Sequence, residues 1–136
     1  MRRGQGSIEY ITVVMLMLLA LLPIIYYSFQ QVNSQSALQQ ADLAVYKLSS
    51  AADQAYVQGV GTQIPVVITI PDQVNLSASY ITANEINLAV YTINSQTTSV
   101  FRTTLSNVSG YFTTNPGTYV FIVASTPSGV TVTPLY

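Results

Sequence analysis

The sequence predicts an α+β chain: a long hydrophobic N-terminal helix followed by a small antiparallel β-sheet or sandwich head. Three patterns predict it. Tyr10 to Phe29 is an apolar run in which only Thr12 and Ser28 are clearly polar. Gln30 to Gln58 continues with apolar and small residues recurring at spacings of three and four, the helical period. From Ile64 onward the pattern changes to alternation by twos, punctuated by Pro, Gly, Asn and Asp, which is the signature of strands and turns.

Within 136 residues there is room for one small domain and one long accessory element. Lys and Arg together number 4, Asp and Glu 5, and His and Cys are absent. A soluble domain carries about a quarter charged residues, so Ser, Thr, Asn, Gln and Tyr supply the polarity here. Such a surface suits burial against neighbours or decoration better than solubility by charge. The net charge of −1 offers no electrostatic footprint for nucleic acid, and none is expected as a partner. Without Cys there is no disulfide framework, so the head must be held by its core or by its partners.

The N-terminal element comes first. At ~1.5 Å per residue the run from Tyr10 to Phe29 covers ~30 Å, the thickness of a bilayer's hydrocarbon. It is longer than the apolar core of a secretory signal peptide, about 7–15 residues. Arg2 and Arg3 precede it and nothing basic follows closely, so the N-terminus is expected in the cytoplasm and everything beyond Phe29 outside. Pro23 removes one backbone hydrogen bond and predicts a kink near Leu19 to Pro23, which membrane helices tolerate. Glu9 is the anomaly. A carboxylate costs about 2.5–3.5 kcal/mol at the centre of a span and less toward its interface, where the helix dipole also favours an anion.

Beyond Phe29, residues Leu38, Ala41, Val45, Leu48, Ala52 and Ala55 form a helical seam, while Asp42, Lys47 and Asp53 fall on the other faces. The small Ala41, Ala52 and Ala55 allow close approach of another element. No breaker separates the two halves, so one helix is expected to the end of residues 5–58, ~78 Å long from Ser7 onward. That length suits a bundle of many copies and not a lone small globule.

Residues 59–136 read as the β-rich head. Gly59 is placed for a left-handed helix cap, and Pro65 discourages a restart. Ile64, Val66, Ile68 and Ile70 alternate onto one face. Val74 to Tyr80 and Ile86 to Val90 alternate likewise; Val100 to Leu105 is weaker, Thr118 to Ala124 apolar throughout, and Val130 to Leu135 last. Pro71-Asp72, Ala83-Asn84, Asn94-Ser95, Asn115-Pro116-Gly117 and Pro127-Ser128-Gly129 mark the turns. About six strands with short links indicate a meander or small sandwich, and Ser106 to Gly117 is expected to be an exposed loop.

Catalysis needs a nucleophile with its base, paired carboxylates or a metal site. With no His or Cys, and only Asp72, Glu85 and Arg102 charged in the head, we expect no enzyme, no cofactor and no metal. Asn75-Leu76-Ser77 and Asn107-Val108-Ser109 are N-glycosylation sequons. Composition alone yields about that many; position adds that Asn75 lies on the polar side of its strand and Asn107 opens the long loop, so both are expected to face solvent.

Arg2 and Arg3 are followed by Gly4-Gln5-Gly6-Ser7-Ile8-Glu9-Tyr10 and then the apolar run. This resembles the processing motif of archaeal type IV pilin-like proteins, the class III signal peptides, and extends weakly through Tyr56 to Gly61 and Pro71. The resemblance implies residues 1–4 as a prepilin leader, cut between Gly4 and Gln5 by a membrane prepilin peptidase that leaves the apolar segment in place. Glu9 then becomes the fifth residue of the mature chain, where pilins carry their Glu. Its carboxylate would neutralise the new α-ammonium of Gln5 on an adjacent subunit, making two costly groups tolerable together and setting axial register.

The implied protein is a structural pilin of an extracellular filament on the cell surface, serving adhesion or surface attachment. Its implied partners are identical subunits in a helical filament, the prepilin peptidase, the pilus assembly ATPase and membrane platform, and the membrane before assembly. The rival reading is a membrane-anchored minor pilin-like component of a secretion or solute-binding machine. A small head without a polar pocket signature, and low charge on a surface that must meet copies of itself, favour the filament.

Overall fold

The computed structural model describes residues 5–135. Helix α1 spans Gln5–Gln58 with Pro23 inside it. The chain divides into two compact units, Met1–Asn33 and Ser34–Tyr136.

In the first unit, every residue from Gly6 to Asn33 is exposed. The two hydroxyls of its apolar run do not hang free. Thr12 donates to the carbonyl of Ile8 and Ser28 to that of Ile24, each at 2.8 Å. A hydroxyl turned back onto the preceding helical turn satisfies its own donor without water, which suits hydrocarbon surroundings. The helix continues through Pro23.

The second unit packs the 34–58 part of α1 on a seven-stranded sheet. Its strands are β1 Gln63–Ile70, β2 Tyr80–Thr82, β3 Glu85–Tyr91, β4 Thr97–Thr103, β5 Val108–Gly110, β6 Gly117–Thr126 and β7 Gly129–Leu135. They lie in the order β1-β6-β7-β5-β2-β3-β4. This is the expected α+β architecture: a long apolar helix, then a curled, mainly antiparallel sheet. The seam is buried as its spacing demands: Ala41, Val45, Leu48, Ala52 and Ala55 are fully enclosed, joined by Ala37, Ala44 and Ala51. Leu38 packs at its margin. Facing them are Ile68, Ile70, Ile86, Leu88, Val90, Phe121, Val123 and Val132. Each large aliphatic enclosed this way stabilises the fold by about 1.5–3 kcal/mol relative to exposure. The helix side of this core is mostly alanine, so the bulk that fills it comes from the strands.

Gly59 ends α1 at φ 97, its N–H returning to the carbonyl of Ala55 at 3.2 Å. In β1 the burial alternates as expected, with Val66, Ile68 and Ile70 inside. Pro65 is accommodated because β1 is an edge: Thr62 bonds β6 through its carbonyl and Val67 shares the parity of Pro65, so the missing N–H points to the open side.

Three local expectations are corrected. Val74 to Tyr80 is not a strand. Val74 bridges Val90, Leu76–Ala78 forms a 3₁₀ turn, and β2 begins only at Tyr80, opposite Asn87. Both ends pair with β3, but the register between them slips by three residues, and those 3 residues are extruded as the turn. The slip covers the outer side of β3, burying Asn87 and Ala89 as well as the inward Ile86, Leu88 and Val90. Simple alternation is therefore lost there.

Ser106 to Gly117 is not wholly a loop. It contains β5, which lies between the two halves of the sheet, parallel to β7 over Val108–Gly110 and touching β2 at Ile81↔Gly110. One parallel pair thus breaks the expected antiparallel meander, and the strands number seven in one sheet. The glycines at this junction are sterically required. A Cβ on Gly110 would collide with the carbonyl oxygen of Val132, and one on Gly129 with that of Asn107. Finally, the fourth strand runs from Thr97 to Thr103, earlier than the expected Val100 to Leu105.

Candidate assembly surfaces

Charge is so sparse that each ionic group of the second unit can be followed individually. With 3.6 residues per turn, Asp42 and Asp53 lie on one flank of the buried seam and Lys47 on the other. Lys47 donates to the carbonyl of Val67 on edge strand β1 at 3.4 Å. On the opposite flank, Arg102 of edge strand β4 meets Asp42 at 3.1 Å and lies 5.1 Å over the Tyr46 ring. Asp53 accepts the backbone N–H of Leu105 at 2.8 Å, just beyond β4. Both sheet edges therefore touch the helix, which is how the sheet curls. At β1 the Lys47 ammonium also occupies one backbone carbonyl of an edge otherwise open to pairing. By helical spacing alone these three charges fall on outer faces; the sole sequence signal of their role is that so few charges exist to pair.

The outward face of this helix half is partly apolar, and only its Tyr46 margin meets the sheet, at Arg102. Leu43, Tyr46 and Val57 are each more than half exposed. Beside them a cleft of about 460 Å³ is bounded by Tyr46, Ser50, Asp53 and Phe101. In the first unit the apolar surface is continuous. Among the described residues one helix is long and apolar enough to cross a membrane, Gly6–Gln58, and 0% of its most apolar window is buried.

Of the sites expected from sequence, Gly4, with Arg2 and Arg3, lies outside the described residues. Gln5 opens α1. Glu9 sits one turn later, exposed, and forms no ion pair among the described residues. The two sequons differ. Asn107 is exposed, and its carbonyl accepts the N–H of Val130 at 2.8 Å as β5 begins. Asn75 is half-buried, and its side-chain nitrogen, the atom a glycan would take, donates to Thr97 at 3.2 Å. Asn75 thus reaches solvent only in part, because the register slip folds it against β3.

No family model matches the chain, and neither do the curated proteins or solved structures with which it was compared. Architecture alone makes it pilin-like in the general sense: a membrane-compatible helix carrying a sheet head.

The two acids of the head are apart from any metal-like cluster: among the described residues no three His, Cys, Asp or Glu gather. Asp72 is exposed. Glu85 accepts the Tyr80 hydroxyl at 2.7 Å, and this bond holds the Tyr80 phenol above its ordinary value.

Proposed function

We propose that this chain is the structural subunit of an extracellular type IV pilus-like filament of the archaeal kind, and not an enzyme. The observation that carries the reading is the coexistence in one helix of two surfaces. From Gly6 to Asn33 it is exposed on all sides, yet from Ser34 it is covered on one side by the head. An all-round apolar helix needs lipid or other helices around it. A membrane supplies the first before assembly, and copies of the same helix supply the second in a filament.

In this reading the leader ends at Gly4, the mature chain starts at Gln5, and Glu9 meets the Gln5 ammonium of a neighbour. Removal of the leader commits the subunit to assembly while the apolar segment stays attached. The heads then tile the outside; charges are scarce, and Asp42, Lys47, Asp53 and Arg102 are engaged at the helix flanks, so subunits meet mainly through hydroxyl, amide and apolar groups. Adhesion is the role such an outward layer would serve.

Electron microscopy of the cell surface with mass analysis of the filaments' major band tests the proposal. Filaments whose main component starts at Gln5 are the expected result. An intact Met1, a start near Ala37, or a chain found only dispersed in the membrane would overturn it.

A further inference from the structure

We infer that the head binds a neutral carbohydrate in a trough between the Leu76–Ala78 turn and the segment that follows β5. Two clefts of about 340 and 240 Å³ adjoin there and share Tyr111, Phe112, Thr113 and Thr114. Tyr80 and Tyr111 line the larger cleft, 43% and 52% exposed. Gly110 in its lining contributes no side chain.

The aromatic surface is held in place. The Tyr80 hydroxyl is tied to Glu85 at 2.7 Å. Phe112 stands edge-on to the buried Phe121, ring centroids 6.3 Å apart. Tyr119 donates to the carbonyl of Pro116 at 3.4 Å, closing the segment on itself. Aromatic walls fixed before binding cost little entropy when a ligand stacks on them.

The chemistry of the lining selects the ligand. A pyranose presents C–H faces that stack on aromatic rings and hydroxyl edges that exchange hydrogen bonds. Here the rings come with the hydroxyls of Thr113 and Thr114. None of the lining residues is charged. The nearest charge known to touch the walls is Glu85, through Tyr80, and it disfavours a sulfated or carboxylated glycan. An added strand finds no open edge, because β2 and β5 are already paired at Ile81↔Gly110.

The test uses the full chain in detergent micelles, with immobilised dextran and mannan as neutral probes and dextran sulfate as the acidic one. Saturable binding to a neutral polymer is expected, weakened about tenfold or more by Tyr111→Ala, which removes one stacking wall. It should be unchanged by Tyr91→Ala, an exposed tyrosine outside the lining. Thr114→Trp, which fills the trough, should abolish binding while leaving the circular dichroism spectrum intact. Absence of binding to both neutral polymers, preference for dextran sulfate, or equal binding by well-folded Tyr111→Ala or Thr114→Trp would each overturn the inference. Since binding is read on unassembled protein and filament yield by microscopy, failure here leaves the filament proposal standing.

Discussion

Asp53, on the helix, accepts the backbone N–H of Leu105 at 2.8 Å, 52 residues further along the chain. The carboxylate thereby caps the chain as it leaves edge strand β4, while Asp42 holds the side chain of Arg102 in the same strand. The two contacts differ in worth. The Arg102–Asp42 pair is 43% and 55% exposed, so solvent screens it and its contribution is below about 1 kcal/mol. Asp53 serves an N–H that has no ladder partner. Asp53→Ala is therefore expected to destabilise the head by about 1–2 kcal/mol and Asp42→Ala by less, as read from shifts in chemical denaturation midpoints. The reverse ranking would show that the ion pair, not the strand cap, closes this edge.

Removing the helix from the head should be far more damaging. A fragment from about Asn33 retains Val45 and Leu48, both fully buried against the sheet. It is expected to unfold cooperatively as a soluble monomer. A fragment starting at Gly59 exposes Ile68, Leu88 and Phe121 instead, and should aggregate or lose most of its stability. Equal midpoints and slopes for the two fragments would contradict the packing described.

Gly110 offers a sharper probe of the sheet's junction. A methyl there meets the Val132 carbonyl, which is backbone and cannot swing away. Gly110→Ala in the Asn33 fragment is expected to cost about 2 kcal/mol or more by prising β5 from β7. Hydrogen exchange should show the loss of protection concentrated at Val108–Gly110 and its partners Val130–Val132. Unchanged protection there would mean β5 is not what joins the halves.

The Tyr80–Glu85 bond predicts a pH dependence. The folded phenol is raised above its ordinary 10.0 because neutral Tyr80 donates to Glu85. Its stabilisation is thus complete below that value and lost as pH rises through the raised one. Tyr80→Phe should remove this alkaline component and leave the rest of the pH dependence unchanged. The effect is small, since Tyr80 is well exposed. A variant whose alkaline unfolding curve overlays that of the wild type would dispose of the idea.

Glu9→Ala tests the filament proposal at a single residue. Processing and membrane insertion should be nearly unchanged, because an alanine suits an apolar span better than a carboxylate. Filament yield should fall severely, because the Gln5 ammonium of each neighbour then stays unpaired. Normal yield on electron micrographs would reduce Glu9 to a helix-start residue.

The sequence by itself determined the elements whose signals are local. A run from Tyr10 to Phe29 with no charge can only be a helix seeking lipid or its own kind. The spacing of Ala41, Val45, Leu48, Ala52 and Ala55 fixes which side the head covers, and Gly59 fixes where the helix stops. The alternation of Ile64 to Ile70 shows which face of β1 is buried. Tertiary structure decided everything that depends on which strand lies beside which. Val74 to Tyr80 alternates like a strand, but its two ends answer to β3 in registers that differ by three residues, so its middle is expelled as a 3₁₀ turn. Val108–Gly110 is too short to show a period, and only the open positions beside β2 and β7 make it a strand. Asp42, Lys47 and Asp53 read as solvent-facing because helical periodicity reports angle around an axis, not reach. Curling of the sheet brings its edges up to those flanks. Periodicity is a property of neighbours in sequence; pairing is a property of neighbours in space, and the sheet fixes those only when all its strands are present.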